Sequence, residues 1–211
     1  MGVCRRFLLP NFNSTIEEIK NTSNLEVVEL GDTQINRHNG FNKIEIYPPT
    51  RFRNLYKHLF KTWRTLDLHG PRDVEHCDLS FISNKKNCAD IIINYGTSEH
   101  VEFEEGQYNC WLNIHNFLRI NGISINALPL AGEWPKHCRW YYTADFFNNF
   151  KNYGYKILHM EITWHKLIFC KLLKTQDGNF MSYKDFMNKI VFKNMNYKDA
   201  SIHNNPKKLK W

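Results

Sequence analysis

The sequence lacks several patterns that would point directly to a common class of protein. Its six cysteines include no Cys-x-x-Cys pair, so the closely spaced ligands of a structural zinc site are missing. No stretch approaches the roughly 20 apolar residues of a membrane-spanning helix, and the run Phe7-Leu8-Leu9 is too short for a secretory signal. These absences predict reduced thiols in a cytoplasmic protein, in the host cytoplasm if the Asn- and Lys-rich chain is viral, with no membrane partner.

Internal repeats and low-complexity tracts are also missing, which favours a single domain over residues 1–211. That length suffices for one full α/β domain and not for two. Hydrophobic residues at 42% and aromatic residues at 15% provide a core and exclude disorder throughout. We expect residues 1–24 to cover the domain and residues 175–211 to form a helical extension with a basic tail. Ser14-Thr15-Ile16-Glu17 fits a capping box at the start of a short helix, and apolar residues at helical spacing from Thr50 to Thr62 predict the first crossover helix.

The formal net charge is +7, which suits a polyanionic partner but equally a soluble Lys-rich protein. No nucleic-acid-binding module is recognisable, so a nucleic-acid partner is not expected. In the C-terminal extension, apolar residues from Tyr183 to Val191 recur at helical spacing. This helix would pack against the sheet, and a homodimer contact is the alternative.

The stretch from Ala89 to His100 predicts a buried strand that leads into a site. The run Ile91-Ile92-Ile93 has no polar alternation, so both faces should be covered, as in the middle of a parallel sheet. In open α/β sheets ligands lie outside the carboxyl ends of such strands. The polar residues that follow, Asn94, Gly96, Glu99 and His100, are therefore placed where chemistry is expected.

A second strand shows the same arrangement. The segment from Ile123 to Leu130 leads into a group of polar and aromatic residues, which are Gly132, Glu133, Trp134, His137, Trp140, Tyr141 and Tyr142. If the two strands are neighbours, their loops meet at one rim. A third strand, from Leu25 to Leu30, runs into Gly31, where a residue without a Cβ lets backbone approach a ligand closely.

Near the C-terminus, two strand patterns at 155–162 and 166–173 are joined by only Thr163-Trp164-His165. So short a connection requires an antiparallel pair, because a parallel pair needs a crossover.

Together these residues resemble the second half of a class I S-adenosylmethionine-dependent methyltransferase. The resemblance rests on their order along the chain, namely Asp90 to Asn94, Ser98-Glu99-His100-Val101, a helix through Trp111 to Leu118, Asn121-Gly122-Ile123, Pro129, His137, Tyr142-Thr143 and Phe146-Phe147. It implies a Rossmann-like α/β sandwich with a seven-stranded mixed sheet whose last strand is antiparallel. It departs from the family at Asn121-Gly122, where members carry Pro-Gly-Gly.

The resemblance also implies S-adenosylmethionine as the cofactor and suggests how it is bound. Glu29 and Gly31 correspond to a reduced first motif, Asp67 to the ribose-binding carboxylate, and Asp78 with Leu79 to the adenine-binding loop. The full set of implied cofactor residues is Glu29, Gly31, Asp32, Gln34, Asp67, Asp78, Leu79, Asn94, Tyr95 and Gly96. The alternative for Asp67 is a solvated turn residue.

Methyl transfer to a hydroxyl needs a base that removes the acceptor proton. His100 suits this role because the pKa of an imidazole lies near neutrality, and His137 is a second candidate. Glu99 would orient His100 or bind a metal. Some relatives with a Glu-x-x-Glu-His run hold a divalent cation there, but Gly96 replaces the first Glu, so a metal is possible and not predicted. The alternative for Glu99-His100 is a structural pair at a helix start.

The aromatic group predicts the acceptor. Faces of Trp134, Trp140, Tyr141 and Tyr142, with Glu133 beside them, suit sugar rings or planar phenols, and equally a lid that excludes water. The loop after the fourth strand lacks the Asp/Asn-Pro-Pro-aromatic sequence of nucleic-acid adenine methylation. The sequence therefore predicts an O-methyltransferase acting on a hydroxyl, with a sugar or glycan favoured. A phenolic small molecule as acceptor, or a catalytically inactive methyltransferase-like binding protein, are the alternatives.

Overall fold

The computed structural model describes residues 2–19, 21–39, 43–163 and 166–192. In chain order its strands are β1 (Gly2–Cys4), β2 (Glu26–Leu30), β3 (Gln34–Asn39), β4 (Lys43–Arg51), β5 (Thr62–Asp67), β6 (Glu75–His76), β7 (Ala89–Tyr95), β8 (Leu118–Pro129), β9 (Trp140–Tyr141), β10 (Tyr155–Ile162), β11 (Leu167–Lys174) and β12 (Val191–Phe192). Its α-helices are α1 (Arg5–Glu18), α2 (Phe52–Tyr56), α3 (Glu104–Phe117), α4 (Ala144–Asn149) and α5 (Tyr183–Met187). Single 3-10 turns lie at Thr22–Asn24, Lys57–Leu59, Ser98–His100 and Phe150–Tyr153.

Seven of these strands form one mixed sheet in the order β10-β11-β8-β7-β2-β5-β6. Strands β8, β7, β2, β5 and β6 run parallel to one another, whereas β11 is antiparallel to both β8 and β10. The predicted α/β sandwich with a seven-stranded mixed sheet and an antiparallel last strand is therefore confirmed. The join between β10 and β11 is short, as predicted, although Trp164 and His165 lie outside the described residues.

The central strand β7 is buried on both faces. Ile91, Ile92 and Ile93 are fully buried. Because strand side chains alternate, Ile92 packs in a cluster with Trp111 of α3, while Ile91 and Ile93 pack in a second cluster with Phe12 of α1. The apolar run therefore reflects helices on both faces of the sheet.

The connection between β2 and β5 differs from the prediction. β3 and β4 form a separate three-stranded sheet with β1, and the helix expected over residues 50–62 is reduced to α2 and one 3-10 turn. Phe52 and Tyr56 are buried, so the helical spacing is real. It ends early because the chain turns at Phe60, which packs 5.6 Å from Trp63 of β5, centroid to centroid.

The N-terminal helix also begins earlier than expected. α1 starts at Arg5, so the predicted capping box at Ser14 lies inside the helix and is wrong. Ser14 Oγ donates to Glu18 Oε1 (3.0 Å) and Thr15 Oγ1 donates to Asn11 O (2.9 Å). Both bonds span four residues, which is how hydroxyl side chains bond within a helix.

At the other end, α5 packs against the body of the fold. Phe186 is fully buried, and its ring lies 5.6 Å from that of Tyr108 on α3. The helix was predicted to pack against the sheet, whereas this contact is with α3, and it ends at Met187 because Val191 lies in β12. The homodimer contact stays a prediction. Residues 193–211, with the basic tail, lie outside the described residues. Among the described residues, no helix has the length and apolar character needed to span a membrane.

Candidate active site

The loops that follow β2, β5 and β7 meet at one edge of the sheet, because these strands are parallel neighbours. Asp32 N donates to Asp67 Oδ2 (2.8 Å), which joins the loop after β2 to the end of β5. Thr97 Oγ1 donates to Leu30 O (2.6 Å), which joins the loop after β7 to the end of β2. The three loops therefore form a continuous rim. β6 is the next parallel strand, so the loop after it, which carries Asp78, leaves the sheet at the same edge, and we call the four loops together the cofactor rim.

Glu29 supports this rim from inside the sheet. Its side chain is fully buried and accepts hydrogen bonds from Trp63 Nε1 (3.0 Å), Thr65 Oγ1 (2.9 Å) and Thr33 N (3.3 Å). Burial raises the pKa of the Glu29 carboxyl to about 7. In this geometry Glu29 positions the loop after β2 and does not face a ligand.

The loop after β2 packs closely against Thr97, a residue of the loop after β7. Gly31 has φ +74°, and a Cβ built there would lie 2.3 Å from Thr97 Oγ1. The Asp32 carboxylate is buried between Arg51 (3.1 Å) and Arg53 (3.0 Å). The side chain of Gln34 completes this group, since its amide oxygen accepts from Arg51. Asp32 and Gln34 are thus engaged with arginines that no sequence pattern singled out.

Two predicted carboxylates remain available at the rim. Asp67 is half-buried, and its oxygens accept from Asp32 N and His69 N, each at 2.8 Å. A carboxylate has about four lone-pair positions, so two are left for vicinal hydroxyls. Asp78 is also half-buried, and its Oδ1 accepts from Ser80 N (2.9 Å) and Ser80 Oγ (2.6 Å). Its neighbour Leu79 is buried in the core, so its side chain does not face the rim.

The turn after β7 is held by side chains that point into the protein. Asn94 is fully buried, donates to Ser98 Oγ (2.9 Å) and accepts from Ser98 N (3.2 Å). Tyr95 is 1% exposed and packs against Phe52, with centroids 5.5 Å apart. Only the half-exposed backbone of Gly96, with φ +75°, reaches the rim. Asn94 and Tyr95 therefore shape the turn.

The three predicted catalytic residues come together beside this turn. Glu99 and His100 lie in the 3-10 turn after β7, and His137 enters from the loop after β8. The rings of His100 and His137 are 5.4 Å apart, centroid to centroid, and His100 Nε2 is 3.7 Å from Glu99 Oε1. One side-chain N or O atom from each residue lies within 4.8 Å of the others. We call this the Glu-His-His cluster.

Burial sets the charge states in the cluster. Glu99 is 1% exposed, and this burial raises the pKa of its carboxyl, an effect that the neighbouring His100 partly offsets. Burial and then repulsion from His100 lower the pKa of the His137 imidazole. His137 is therefore neutral at pH 7 and able to accept a proton.

The aromatic residues after β8 require a correction. Trp140, Tyr141 and Tyr142 are at most 1% exposed, so they do not form the predicted acceptor wall. Trp140 Nε1 donates to Val101 O (2.7 Å), and Tyr142 Oη lies 2.9 Å from Ser98 Oγ. Trp140 and Tyr142 belong to the main hydrophobic cluster, and Trp140 and Tyr141 are further fixed by the pairing of β9 with β12. The bonds of Trp140 and Tyr142 hold the turn that carries Glu99 and His100.

Trp134 and Glu133 are the predicted acceptor residues that remain half-exposed. The Trp134 ring lies 5.1 Å from the His137 ring, and its Nε1 donates to Lys166 O (3.1 Å). Sequence reasoning missed the second layer of this site, which includes Thr97 and Gln107. Gln107 Nε2 donates to Tyr142 Oη (2.5 Å) from inside α3, a contact that only the folded chain reveals.

No family model matches the sequence, and no curated protein sequence matches it. Solved structures do match. The N-methyltransferase NodS from Bradyrhizobium japonicum WM9 aligns with a TM-score of 0.55 and 10% identity, over 82% of this chain and 98% of that chain. NodS in complex with S-adenosylhomocysteine aligns with a TM-score of 0.51 and 10% identity, over 73% and 80%.

A further match is the 1,6-didemethyltoxoflavin-N1-methyltransferase from Burkholderia thailandensis, with bound 1,6-didemethyltoxoflavin and S-adenosylhomocysteine. It aligns with a TM-score of 0.53 and 11% identity, over 79% of this chain and 76% of that chain. At such identities the likeness establishes the fold alone. The chain has the fold of class I S-adenosylmethionine-dependent methyltransferases.

Proposed function

We propose that this chain is an S-adenosylmethionine-dependent methyltransferase that modifies a hydroxyl group, with a sugar or glycan as the favoured acceptor. The observation that carries the proposal is the Glu-His-His cluster. It lies at the carboxyl end of β7, beside the cofactor rim of a fold whose structural neighbours include two complexes with S-adenosylhomocysteine. A base next to a methyl-donor site is what a hydroxyl acceptor requires.

The rim has groups that fit the cofactor. The free lone pairs of Asp67 can accept from ribose hydroxyls, the half-buried Asp78 can accept from an exocyclic amine, and Gly96 offers backbone without a Cβ. When bound, S-adenosylmethionine supplies an already activated methyl group on a sulfonium. The protein then has to orient the acceptor and remove its proton.

The cluster can hold that proton. An imidazole of His100 or His137 takes the hydroxyl proton as the oxygen attacks. If His100 is the base, its Nε2 lies 3.7 Å from the Glu99 carboxylate, so the imidazolium is stabilised as it forms. The half-exposed Trp134 ring beside His137 can pack against the apolar face of a sugar. A phenolic ring would use the same contact.

Two observations favour the alternative of a catalytically inactive binding protein. In this fold the glycine loop after the first strand opens a helix whose N-terminus attracts anions. Here that loop leads into β3 instead, and Thr97 fills the space above Gly31. Both features reduce the cradle, so the binding of the cofactor has to be measured separately from the transfer of the methyl group.

The experiment measures both steps. Calorimetry with S-adenosylmethionine and S-adenosylhomocysteine tests binding, and Asp67→Asn should weaken it about 5- to 150-fold, the effect of losing about 1–3 kcal/mol of polar pairing. Asp145→Asn is the matched control, because Asp145 forms an exposed ion pair with Lys189 (2.8 Å). Absence of binding at high micromolar concentration would exclude the enzyme and leave the inactive alternative.

Methyl transfer is then measured on a panel of sugars and phenols. His100→Ala or His137→Ala should lower kcat by about 100-fold or more if the residue is the base. His159→Ala, on the exposed edge strand β10, should leave the rate unchanged. Undiminished transfer in both cluster variants would show that neither histidine acts as the base, and turnover of only non-hydroxyl acceptors would change the substrate class.

A further inference from the structure

The Glu-His-His cluster has the composition of a metal site. Two imidazoles and one carboxylate are the ligands of many catalytic zinc centres, which keep a further position open, and of non-haem iron centres. The three side chains come from two different loops, yet their candidate ligand atoms lie within 4.8 Å of one another. Ligand atoms around such a metal, with bonds of about 2.0–2.2 Å, lie roughly 3–4 Å apart. Small side-chain rotations would close the difference.

An independent observation points to a positive charge at this place. Glu99 is 1% exposed, and its Oε2 has no hydrogen-bond partner among the residues that the structure describes. Ionising a carboxyl group that is buried with one oxygen unpaired is costly, which is why buried charges are paired or coordinate metals. The other oxygen of the same carboxylate, Oε1, lies 3.7 Å from His100 Nε2, and a carboxylate oxygen of Glu99 lies within 4.8 Å of a ring nitrogen of each histidine.

The alternative, in which Glu99 and His100 form only a structural hydrogen-bonded pair, accounts less well for this geometry. The separation between His100 Nε2 and Glu99 Oε1, 3.7 Å, is longer than the roughly 2.7–3.2 Å of a hydrogen bond. A pair also leaves the approach of His137 unexplained. The nearby thiol of Cys138 is engaged elsewhere, since its Sγ donates to Trp140 O (3.0 Å), and Glu102 faces Arg139 at 3.8 Å.

We infer that Glu99, His100 and His137 bind one divalent transition-metal ion, for which Zn²⁺ is the best-matched probe. The cluster would then be a metal centre, and the Trp134 ring lies 5.1 Å from the ring of one of its ligands, His137. With an ion bound the two histidines are ligands, so the base role proposed above belongs to the metal-free chain, and transfer assays with and without a chelator separate the two states. The binding of the ion does not depend on the proposed methyl transfer, and it can be tested without cofactor or acceptor.

The test is a titration of the full chain after removal of metals with a chelator. Zn²⁺ binding is followed by calorimetry, and Co²⁺ binding by its visible absorption, which reports the ligand geometry. We expect one ion per chain. Glu99→Gln, His100→Ala and His137→Ala should each weaken binding by about 10- to 100-fold or more, as losing a ligand should cost at least as much as losing its supporting contacts.

His159→Ala is the matched control. His159 forms a comparable pair with Glu161, with 3.6 Å between Nε2 and Oε1, but on the surface with both side chains more than 40% exposed. Its removal should leave the affinity unchanged. Equal losses for the control and the cluster variants would indicate surface binding and overturn the proposal.

Failure to fold is monitored by thermal unfolding of each variant. Glu99→Gln keeps the shape of the side chain, so it decides the question if an alanine variant does not fold. Wild-type protein that binds neither Zn²⁺ nor Co²⁺ would refute the metal site. Calorimetry with S-adenosylhomocysteine in the presence of the chelator reports on the proposed function alone, so the two hypotheses can fail separately.

Discussion

Glu29 shows how a motif residue can act through a neighbouring loop. Its carboxyl lies in the core with three donors around it, and its pKa of about 7 follows from burial. The unfolded-state pKa is near 4.5, so between these two values the folded chain holds a proton that the unfolded chain releases. The free energy of unfolding therefore falls as pH rises from 4.5 to 7, by up to roughly 3 kcal/mol.

Glu29→Gln should remove this fall, because the amide does not titrate. We expect urea unfolding at several pH values between 4.5 and 7.5 to show a smaller loss of stability with rising pH in the variant than in the wild type. The comparison isolates Glu29 from His115, whose pKa burial lowers and which acts in the opposite direction. Glu17→Gln, at an exposed position on α1, is the control. Parallel pH profiles for wild type and Glu29→Gln would contradict the assignment.

Tyr142 illustrates the limit of sequence reasoning at a single residue. An aromatic residue after a strand has the same appearance in sequence whether it faces a ligand or the core. Its hydroxyl contacts Ser98, Gln107 and Trp111, and those partners are 31 to 44 residues away along the chain. No local pattern reports such contacts, so the prediction of an acceptor wall was wrong for this ring.

At the scale of elements, the sheet could be predicted because its signals are local. The run Ile91–Ile93, which has no polar alternation, indicates a strand buried on both faces. The short connection after Ile162 requires an antiparallel pair. Neither inference needs knowledge of the rest of the chain. The connection between β2 and β5 could not be predicted, because the small sheet forms only when β1 pairs with β3. The Glu-His-His cluster was predicted residue by residue, since loops at the same edge of adjacent parallel strands must meet.

Lys174 connects β11 to the C-terminus of α3, a contact that the sequence did not predict. It is 1% exposed at the end of β11, and its Nζ donates to His115 O (3.0 Å) and Leu118 O (2.9 Å) at the C-terminus of α3. A cation there satisfies free carbonyls and complements the helix dipole. Asp177, at 2.7 Å from Nζ, pairs with the charge. The helix that leads from the cluster to β8 is thereby fixed to the antiparallel hairpin.

The contact between the loops after β2 and β7 gives a prediction at this scale. Gly31→Ala would place a Cβ 2.3 Å from Thr97 Oγ1 at a φ of +74°. We expect a loss of about 1–3 kcal/mol in the free energy of unfolding, from the left-handed backbone and the clash together. Combining it with Thr97→Ala should recover the part due to the clash and none of the backbone part.

Gly178→Ala is the control for this pair, because a Cβ there meets no atom within 4 Å. Denaturant unfolding of the single and double variants gives the coupling energy between the two loops. If the changes in the free energy of unfolding caused by Gly31→Ala and Thr97→Ala were additive, the loops after β2 and β7 would not be in contact as described.

At the scale of the whole molecule, the rim and the Glu-His-His cluster lie on the same edge of one sheet but use different residues. Asp67 and Asp78 belong to the rim, while Glu99, His100 and His137 form the cluster. A ligand bound at either place stabilises the folded chain by mass action. Two ligands that use separate groups should therefore stabilise the protein independently.

This separation predicts the thermal behaviour of the complexes. S-adenosylhomocysteine at about 100 times its Kd should raise the free energy of unfolding by about 2.7 kcal/mol, which for a chain of this size shifts Tm by roughly 5–11 °C. The shift should persist in a chelator and in Glu99→Gln, and it should shrink in Asp67→Asn. Zn²⁺ should add its own shift, which Glu99→Gln should reduce and Asp67→Asn should leave in place. Differential scanning fluorimetry on the wild type, Glu99→Gln and Asp67→Asn measures all of these Tm shifts. If the shift caused by S-adenosylhomocysteine vanished with the chelator, the rim and the cluster would be one site.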